Sequence, residues 1–298
     1  MRASARICLS LAAVGLVGGL LGACGSTSSG SALPTASGTF ASTASISIPS
    51  SGPPSSLKVI VVRRGHGPVV KKGQLLVADY VGKIWGGKVF DSSFSRHVAS
   101  AFPIGLGHVI PGWDTALVGA HAGSRLLLVI PPAEGYGAKG QPSAGIKGTD
   151  TLVFVVDVIA SYSKTATVAG AHTLHTSVHG ITVTWPTASP PTVHVPASET
   201  APKSPTVTVL SRGTGHRIAP GLVVLQYEVI NAKTNQVVGS TYQLGYPDGE
   251  NVGSQPSLLT KLLGLPVGTR VLLRTPATSS GGPYVFALEV VAEPSLLG

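Results

Sequence analysis

Gly86-Gly87-Lys88-Val89-Phe90-Asp91-Ser92-Ser93 is the stretch on which the reading of this chain turns. A Gly-Gly pair favours a tight turn, and Val89 to Asp91 then reads as a short strand carrying an aromatic and a carboxylate. Tyr80 lies just upstream, while Val109-Ile110-Pro111-Gly112-Trp113, Ala133-Glu134-Gly135-Tyr136-Gly137 and Phe154 follow downstream. The side chains on offer are mostly aromatic or aliphatic, with Asp91 as the carboxylate, and they form no nucleophile or metal cage. Such a set lines an apolar cup with one acidic rim, suited to an uncharged, rigid ligand. It points to chemistry without covalent catalysis.

Working outward, Leu57 to Arg63, Leu75 to Trp85, Arg125 to Ile130 and Thr151 to Ile159 are apolar or β-branched runs bounded by turn residues, and they read as strands. Pro111 to Gly119 reads as one short helix, with proline at its start and Trp113, Leu117 and Val118 on one face. The fold expected is α+β: an antiparallel sheet of about five strands wrapped around one short helix. A second copy follows. Val209 to Gly215 echoes Val61 to Gly67, Leu262 to Leu273 echoes Leu117 to Leu128, and Tyr284 to Val291 echoes Leu152 to Ile159. Three matches in the same order imply one fold present twice.

Between and before these copies the composition shifts. The expected division is 1–23 signal peptide, 24–56 flexible tether, 57–161 first domain, 162–204 Ser/Thr/Pro/His-rich linker and 205–292 degenerate second domain. Arg2 and Arg6, then an apolar run from Ile7 to Leu21, then Leu21-Gly22-Ala23-Cys24, describe an export signal rather than a spanning helix. Its ending resembles a bacterial lipobox, which implies lipidation of Cys24 and anchoring to the outer face of the cell membrane. Cys8 lies inside the signal, so the mature chain has no pair for a disulfide. Hydrophobic residues make up 43% of the 298 and charged residues 11%, so a packed core is within reach. The net charge of +9 is scattered without a basic, aromatic-rich stripe, which excludes nucleic acid as a partner.

Residues 57–161 resemble a complete FKBP-type peptidyl-prolyl cis-trans isomerase domain. The resemblance rests on Tyr80, Gly82, Gly87-Lys88, Phe90-Asp91-Ser92-Ser93, Arg96, Gly105, Val109-Ile110, Gly112-Trp113, Gly123, Pro131, Tyr136-Gly137 and Thr151 to Phe154, in the family's order and spacing. It implies rotation about X-Pro bonds in unfolded or flexible polypeptides, with no cofactor. It also implies roles. Trp113 is the floor under a prolyl ring, and Tyr80, Phe90, Val109, Ile110 and Phe154 are its walls. Phe102 belongs to the same substrate-binding set. Tyr136 donates to a substrate carbonyl, as does the backbone N–H of Ile110, and Asp91 sits at the rim near the twisting carbonyl with Arg96 as ion partner.

Several positions depart from the family pattern. Ser100 stands where an aromatic is usual, His108 replaces a polar or acidic rim residue, and the Gly137 to Asp150 loop offers only Ile146 for alignment. Weakened binding of tacrolimus-type macrolides is therefore expected. In the second copy Tyr227 matches Tyr80, but Val238-Gly239 replaces Phe90-Asp91, Leu258 falls near the Trp113 position, and the Tyr136 loop shrinks to Pro276 to Pro283. The core strands are expected to survive there without the pocket. His172, His175, His179 and His194 fit no defined metal cage and read as solvated linker residues. The competing reading is a binding module or holdase that uses the first pocket only to capture proline-containing segments.

Overall fold

Leu152 to Tyr162 is apolar at nearly every position, as a strand covered on both faces must be. The computed structural model describes residues 32–294 apart from 169–174, 187–188, 254–256 and 280. The chain opens with a hairpin, β1 (Thr35–Ser37) and β2 (Ser45–Ser47). The first lobe contains β3 (Lys58–Arg63), β4 (Leu75–Ile84), β5 (Val89–Ser92), the single turn α1 (Ser93–Arg96) and β6 (Ser100–Pro103). It is completed by α2 (Pro111–Leu117), β7 (Arg125–Ile130) and β8 (Leu152–Tyr162). The strands form one antiparallel sheet in the order β3-β7-β8-β4-β5, with β6 also on β4. Strand β6 was not anticipated; its four residues are too few and too mixed to declare themselves.

Alternation sorts the two faces. Leu76, Ala78 and Tyr80 join Leu126, Leu128, Ile130, Phe154 and Val156 in the core around Trp113 and Leu117 of α2. Val81, Leu127, Val129, Val153 and Val155 face the other way and are covered by Ala44 and Ile46 of the hairpin. The stretch 24–56 was expected as a flexible tether, and the structure corrects this for its described part. Arg125 and Asp157 are both buried and paired, Nε to Oδ1 at 2.6 Å. Arg125 also donates to the carbonyls of Gly38 and Ser42 at 2.6 and 2.8 Å, and Asp157 accepts from the N–H of Ala41 at 2.7 Å. A buried ion pair needs its remaining hydrogen-bonding capacity filled, and the hairpin backbone fills it. Residues 1–31, including the expected signal and Cys24, lie outside the described residues.

The second lobe repeats this plan. Strands β12 (Thr206–Ser211), β13 (Gly221–Asn231), β14 (Gln236–Ser240), β15 (Asp248–Val252), β16 (Arg270–Arg274) and β17 (Tyr284–Ala292) pair in the order β12-β16-β17-β13-β14, with β15 on β13. The correspondence reaches single hydrogen bonds. Tyr80 N–H donates to Ser93 Oγ at 2.9 Å and Tyr227 N–H to Thr241 Oγ1 at 3.0 Å. Ser92 caps α1, and Ser240 caps α3 (Thr241–Leu244) in the same way. A 3₁₀ turn at Leu258–Leu262 replaces α2.

The stretch 162–204, expected as a linker, also carries structure. Strands β9 (His175–Val178), β10 (Ile181–Thr184) and β11 (Thr192–His194) form a small sheet. Ile181, Val183 and Trp185 pack against Leu272, Val285 and Ala287, the second-lobe face matching the one the hairpin covers in the first. Beneath them Arg270 pairs with Glu289 at 3.6 Å, as Arg125 pairs with Asp157. The lobes themselves meet back to back. Leu75 and Val77 of β4 share a buried cluster with Leu222 and Val224 of β13 and with Val291.

Candidate functional site

Strand pairing places the aromatic residues first. Gly82 lies opposite Phe154 on one side and Asp91 on the other. A Cβ on Gly82 would come within 2.6 Å of Phe90 Cζ and 2.7 Å of Phe154 Cε1, so only glycine lets those rings meet. They do so edge-on, with centroids 5.5 Å apart. Helix α2 supplies the floor. A Cβ on Gly112 would stand 2.6 Å from Ile130 Cγ2, so glycine allows the helix to press on β7. That seats Trp113 with its ring centroid 5.3 Å from those of Tyr80, Phe102 and Phe154. Asp114, one residue on, accepts from the N–H groups of Gly105 and Gly107 at 2.6 and 2.7 Å and holds the loop that delivers Val109 and Ile110.

The result is a cavity of about 450 Å³. Tyr80, Phe90, Asp91, Phe102, Val109, Ile110, Trp113, Tyr136 and Phe154 all line it, so nine of the ten expected binding and catalytic residues converge. Arg96 stands just behind. It forms an ion pair with Asp91 and donates from Nη2 to Tyr80 Oη at 3.1 Å and to Ser100 Oγ at 3.3 Å. Tyr80 donates its hydroxyl proton to the other oxygen of Asp91.

This network sets the charges. Burial pushes the Tyr80 phenol up to about 12, and its bond to the Asp91 carboxylate adds to the rise. Burial works against ionisation of Asp91, but the bonds from Tyr80 and Arg96 and the guanidinium charge outweigh it and hold the carboxyl below its ordinary range. Tyr136 titrates above its usual value through burial and the nearby Asp91 charge, so its phenol keeps its proton at neutral pH. Tyr136 is 39% exposed, and its hydroxyl meets no partner among the described residues. Nor does the backbone N–H of Ile110 have an acceptor there. The Trp113 indole N–H is likewise without a partner among the described residues, so three residues lining the aromatic cup carry an unengaged donor.

Some positions differ from expectation. Ile146 is buried in the lobe's core and does not line the cavity. His108 lines the rim and meets the Tyr246 ring edge-on at 5.8 Å. Tyr246 comes from the second lobe, a neighbour that no reading of the first copy alone could supply. Pro111 and Gly135, which belong to the quoted stretches but were given no role of their own, also line the cavity. The second lobe keeps a cavity after all, of about 200 Å³, lined by Tyr227, Leu258 and Phe286 among others. Among the described residues no three His, Cys, Asp or Glu side chains could hold a metal ion. His172 and the side chain of His175 lie outside the described residues.

Residues 67–159 match the profile of the FKBP-type peptidyl-prolyl cis-trans isomerase family. An FK506-binding protein of Streptomyces anulatus is 36% identical over 116 residues, which is 39% of this chain and 94% of that protein. Peptidyl-prolyl cis-trans isomerase FKBP2 of Homo sapiens is 40% identical over 104 residues, 35% of this chain and 72% of the relative. The chloroplastic isomerase FKBP13 of Arabidopsis thaliana is 45% identical over 95 residues, 30% of this chain, and the match spans 44% of that protein's length. The crystal structure of AtFKBP13 aligns at 38% identity over 36% of this chain and 94% of the other, with a TM-score of 0.34.

Proposed function

This chain belongs to the FKBP-type peptidyl-prolyl cis-trans isomerase family, and from that premise we propose that the cavity over Trp113 rotates X-Pro bonds of exported polypeptides during folding. The observation that carries this reading is the pairing of an aromatic cup with two unengaged donors, Tyr136 Oη–H and Ile110 N–H, and one carboxylate held ionised. An X-Pro amide rotates over a barrier of about 18–20 kcal/mol because twisting breaks amide resonance. Lowering it by about 6 kcal/mol accelerates rotation roughly 10⁴-fold. The planar amide is the more dipolar form. An apolar, water-poor cup therefore disfavours it relative to the twisted form, and no nucleophile is needed.

The residues divide that task. Trp113 takes the prolyl ring, with Tyr80, Phe90, Phe102, Val109, Ile110 and Phe154 around it. The donors of Tyr136 and Ile110 hold flanking carbonyls so that one end of the substrate is fixed while the other turns. Asp91 places a negative charge beside the amide oxygen, which raises the planar, oxygen-negative form more than the twisted one. Arg96 and Tyr80 act through Asp91, keeping it ionised and oriented. Tacrolimus-type macrolides fit the same cup with reduced affinity, because Ser100 leaves one wall thin and is turned to Arg96. A proline-limited refolding assay tests the whole assignment. No acceleration by the full chain, with proline-containing segments still bound, would leave capture without isomerisation as the better reading.

Export and anchoring are part of the same proposal, supported by Arg2, Arg6 and the Leu21-Gly22-Ala23-Cys24 ending. With Cys24 lipidated, ten residues separate the anchor from β1 at Thr35, a reach of at most about 35 Å. The first lobe would then work close to the membrane surface. Labelled palmitate should enter the full chain in a bacterial host and fail to enter Cys24→Ala; equal incorporation in both would sink the anchor.

A further inference from the structure

The second lobe's cavity sits where the first lobe keeps its substrate cup, but its chemistry has been rearranged. Phe286 takes the place of Phe154, and Leu258 that of Trp113. The carboxylate has moved. Val238-Gly239 occupies the place of Phe90-Asp91, whereas Asp248 stands where β6 has Ser100 and Glu250 where it has Phe102. Tyr227 follows the charge and donates its hydroxyl proton to Asp248 Oδ2 at 2.9 Å, as Tyr80 donates to Asp91. The arginine has not followed. Leu244 fills the position of Arg96, and among the described residues neither Asp248 nor Glu250 is in an ion pair. The first cup carries its own counter-ion, and the second leaves two carboxylates facing an apolar slot without one.

We propose that this second cavity binds a lysine or arginine side chain of an extended polypeptide, its aliphatic stem on Leu258, Leu259 and Phe286 and its cationic head between Asp248 and Glu250. Long basic side chains are built for such a site, with an apolar stem and a charged tip. The cavity of about 200 Å³, less than half the first, suits one side chain rather than a ring with flanking backbone. Partial desolvation and the adjacent Asp248 charge raise the Glu250 carboxyl, and the attraction of an incoming cation opposes both. Polypeptide as the carrier rests on reading the first lobe as an isomerase. The chain would then hold a client by a basic side chain at one site while turning an X-Pro bond at the other, which raises the local concentration of substrate.

The test uses the full chain and a fluorescent, capped, proline-free peptide with one central lysine between leucines, followed by polarisation. Saturable binding is expected. It should weaken by about tenfold or more when norleucine replaces the lysine, in Asp248→Asn/Glu250→Gln, and in Glu250→Lys, which supplies an internal cation. Asparagine keeps an acceptor for Tyr227, and Glu250 is exposed, so these changes leave the lobe folded; an unchanged melting temperature checks that. Added salt should weaken the lysine peptide but not the norleucine one. No saturable binding, or equal affinity for both peptides, or full affinity in the double variant overturns the site. Refolding catalysis measured on the same preparations reports separately on the first lobe, so the two readings fail independently.

Discussion

At the residue scale the most informative comparison is internal. The second lobe keeps the strands, the Ser240 cap and Tyr227, yet has valine, glycine and leucine where the first has Phe90, Asp91 and Trp113. The scaffold does not require those side chains, which leaves the cavity as their reason. The identities of these residues were legible in the sequence because each sits in a short, recognisable stretch. The connection among Tyr80, Asp91, Arg96 and Ser100 was only partly so, since it depends on four elements meeting. That connection makes a pH prediction. The Asp91 carboxyl is held below its ordinary range, so activity that needs the anion should be flat from neutral pH through the usual carboxylate range and fall only below it. Its contribution to stability has the same sign: fully present above the unfolded value and lost as pH drops through the folded one. Arg96→Met removes a bond and a positive charge, so the acid limb of the kcat/KM profile should move to higher pH.

At the element scale the strands declared themselves and the additions to them did not. Leu152 to Ile159 reads as a buried strand from its composition alone. The hairpin at 35–47 has a tether's composition, because its docking relies on a few apolar side chains, Ala44 and Ile46 buried with Ala36 and Ile48 partly so, and on backbone groups bonded to a buried ion pair. Backbone docking leaves little trace in side-chain identity. The β9–β11 sheet was hidden for a related reason, with a short buried run, Ile181, Val183 and Trp185, among Thr, Ser and Pro. If the ion pair fastens the hairpin, Asp157→Asn should leave Arg125 buried with an unbalanced charge and cost about 3–5 kcal/mol in chemical denaturation. Limited proteolysis should at the same time begin to cut near Gly38 to Thr43. A loss under 1 kcal/mol with the hairpin still protected would contradict that account.

At the scale of the whole molecule the two lobes are joined through a buried cluster on faces turned away from their cavities, and they should therefore unfold together. Leu75, Val77, Leu222 and Val224 looked like ordinary strand residues, since a continuous apolar run does not reveal what covers its second face. Gly249 lies so close to Ala101 that a Cβ would collide with it, which ties β15 to β6. Leu222→Asp places a charge in this shared cluster, which does not include Trp113. It should lower the melting temperature of both lobes together and loosen the contact of Tyr246 with His108 at the rim of the first cup. A shift confined to second-lobe probes would show the lobes to be independent.

The central claim is that the cup over Trp113 turns X-Pro bonds. The direct measurement is the rate of proline-limited refolding of a model substrate with catalytic amounts of the full chain, its Trp113→Ala variant and its Asp91→Val variant, each checked for a folded melting transition. The wild type should accelerate refolding, and each variant should lose about ten- to a hundredfold in kcat/KM, equivalent to about 1.4–2.7 kcal/mol of transition-state stabilisation. No acceleration by the wild type, or undiminished acceleration by both folded variants, would contradict it.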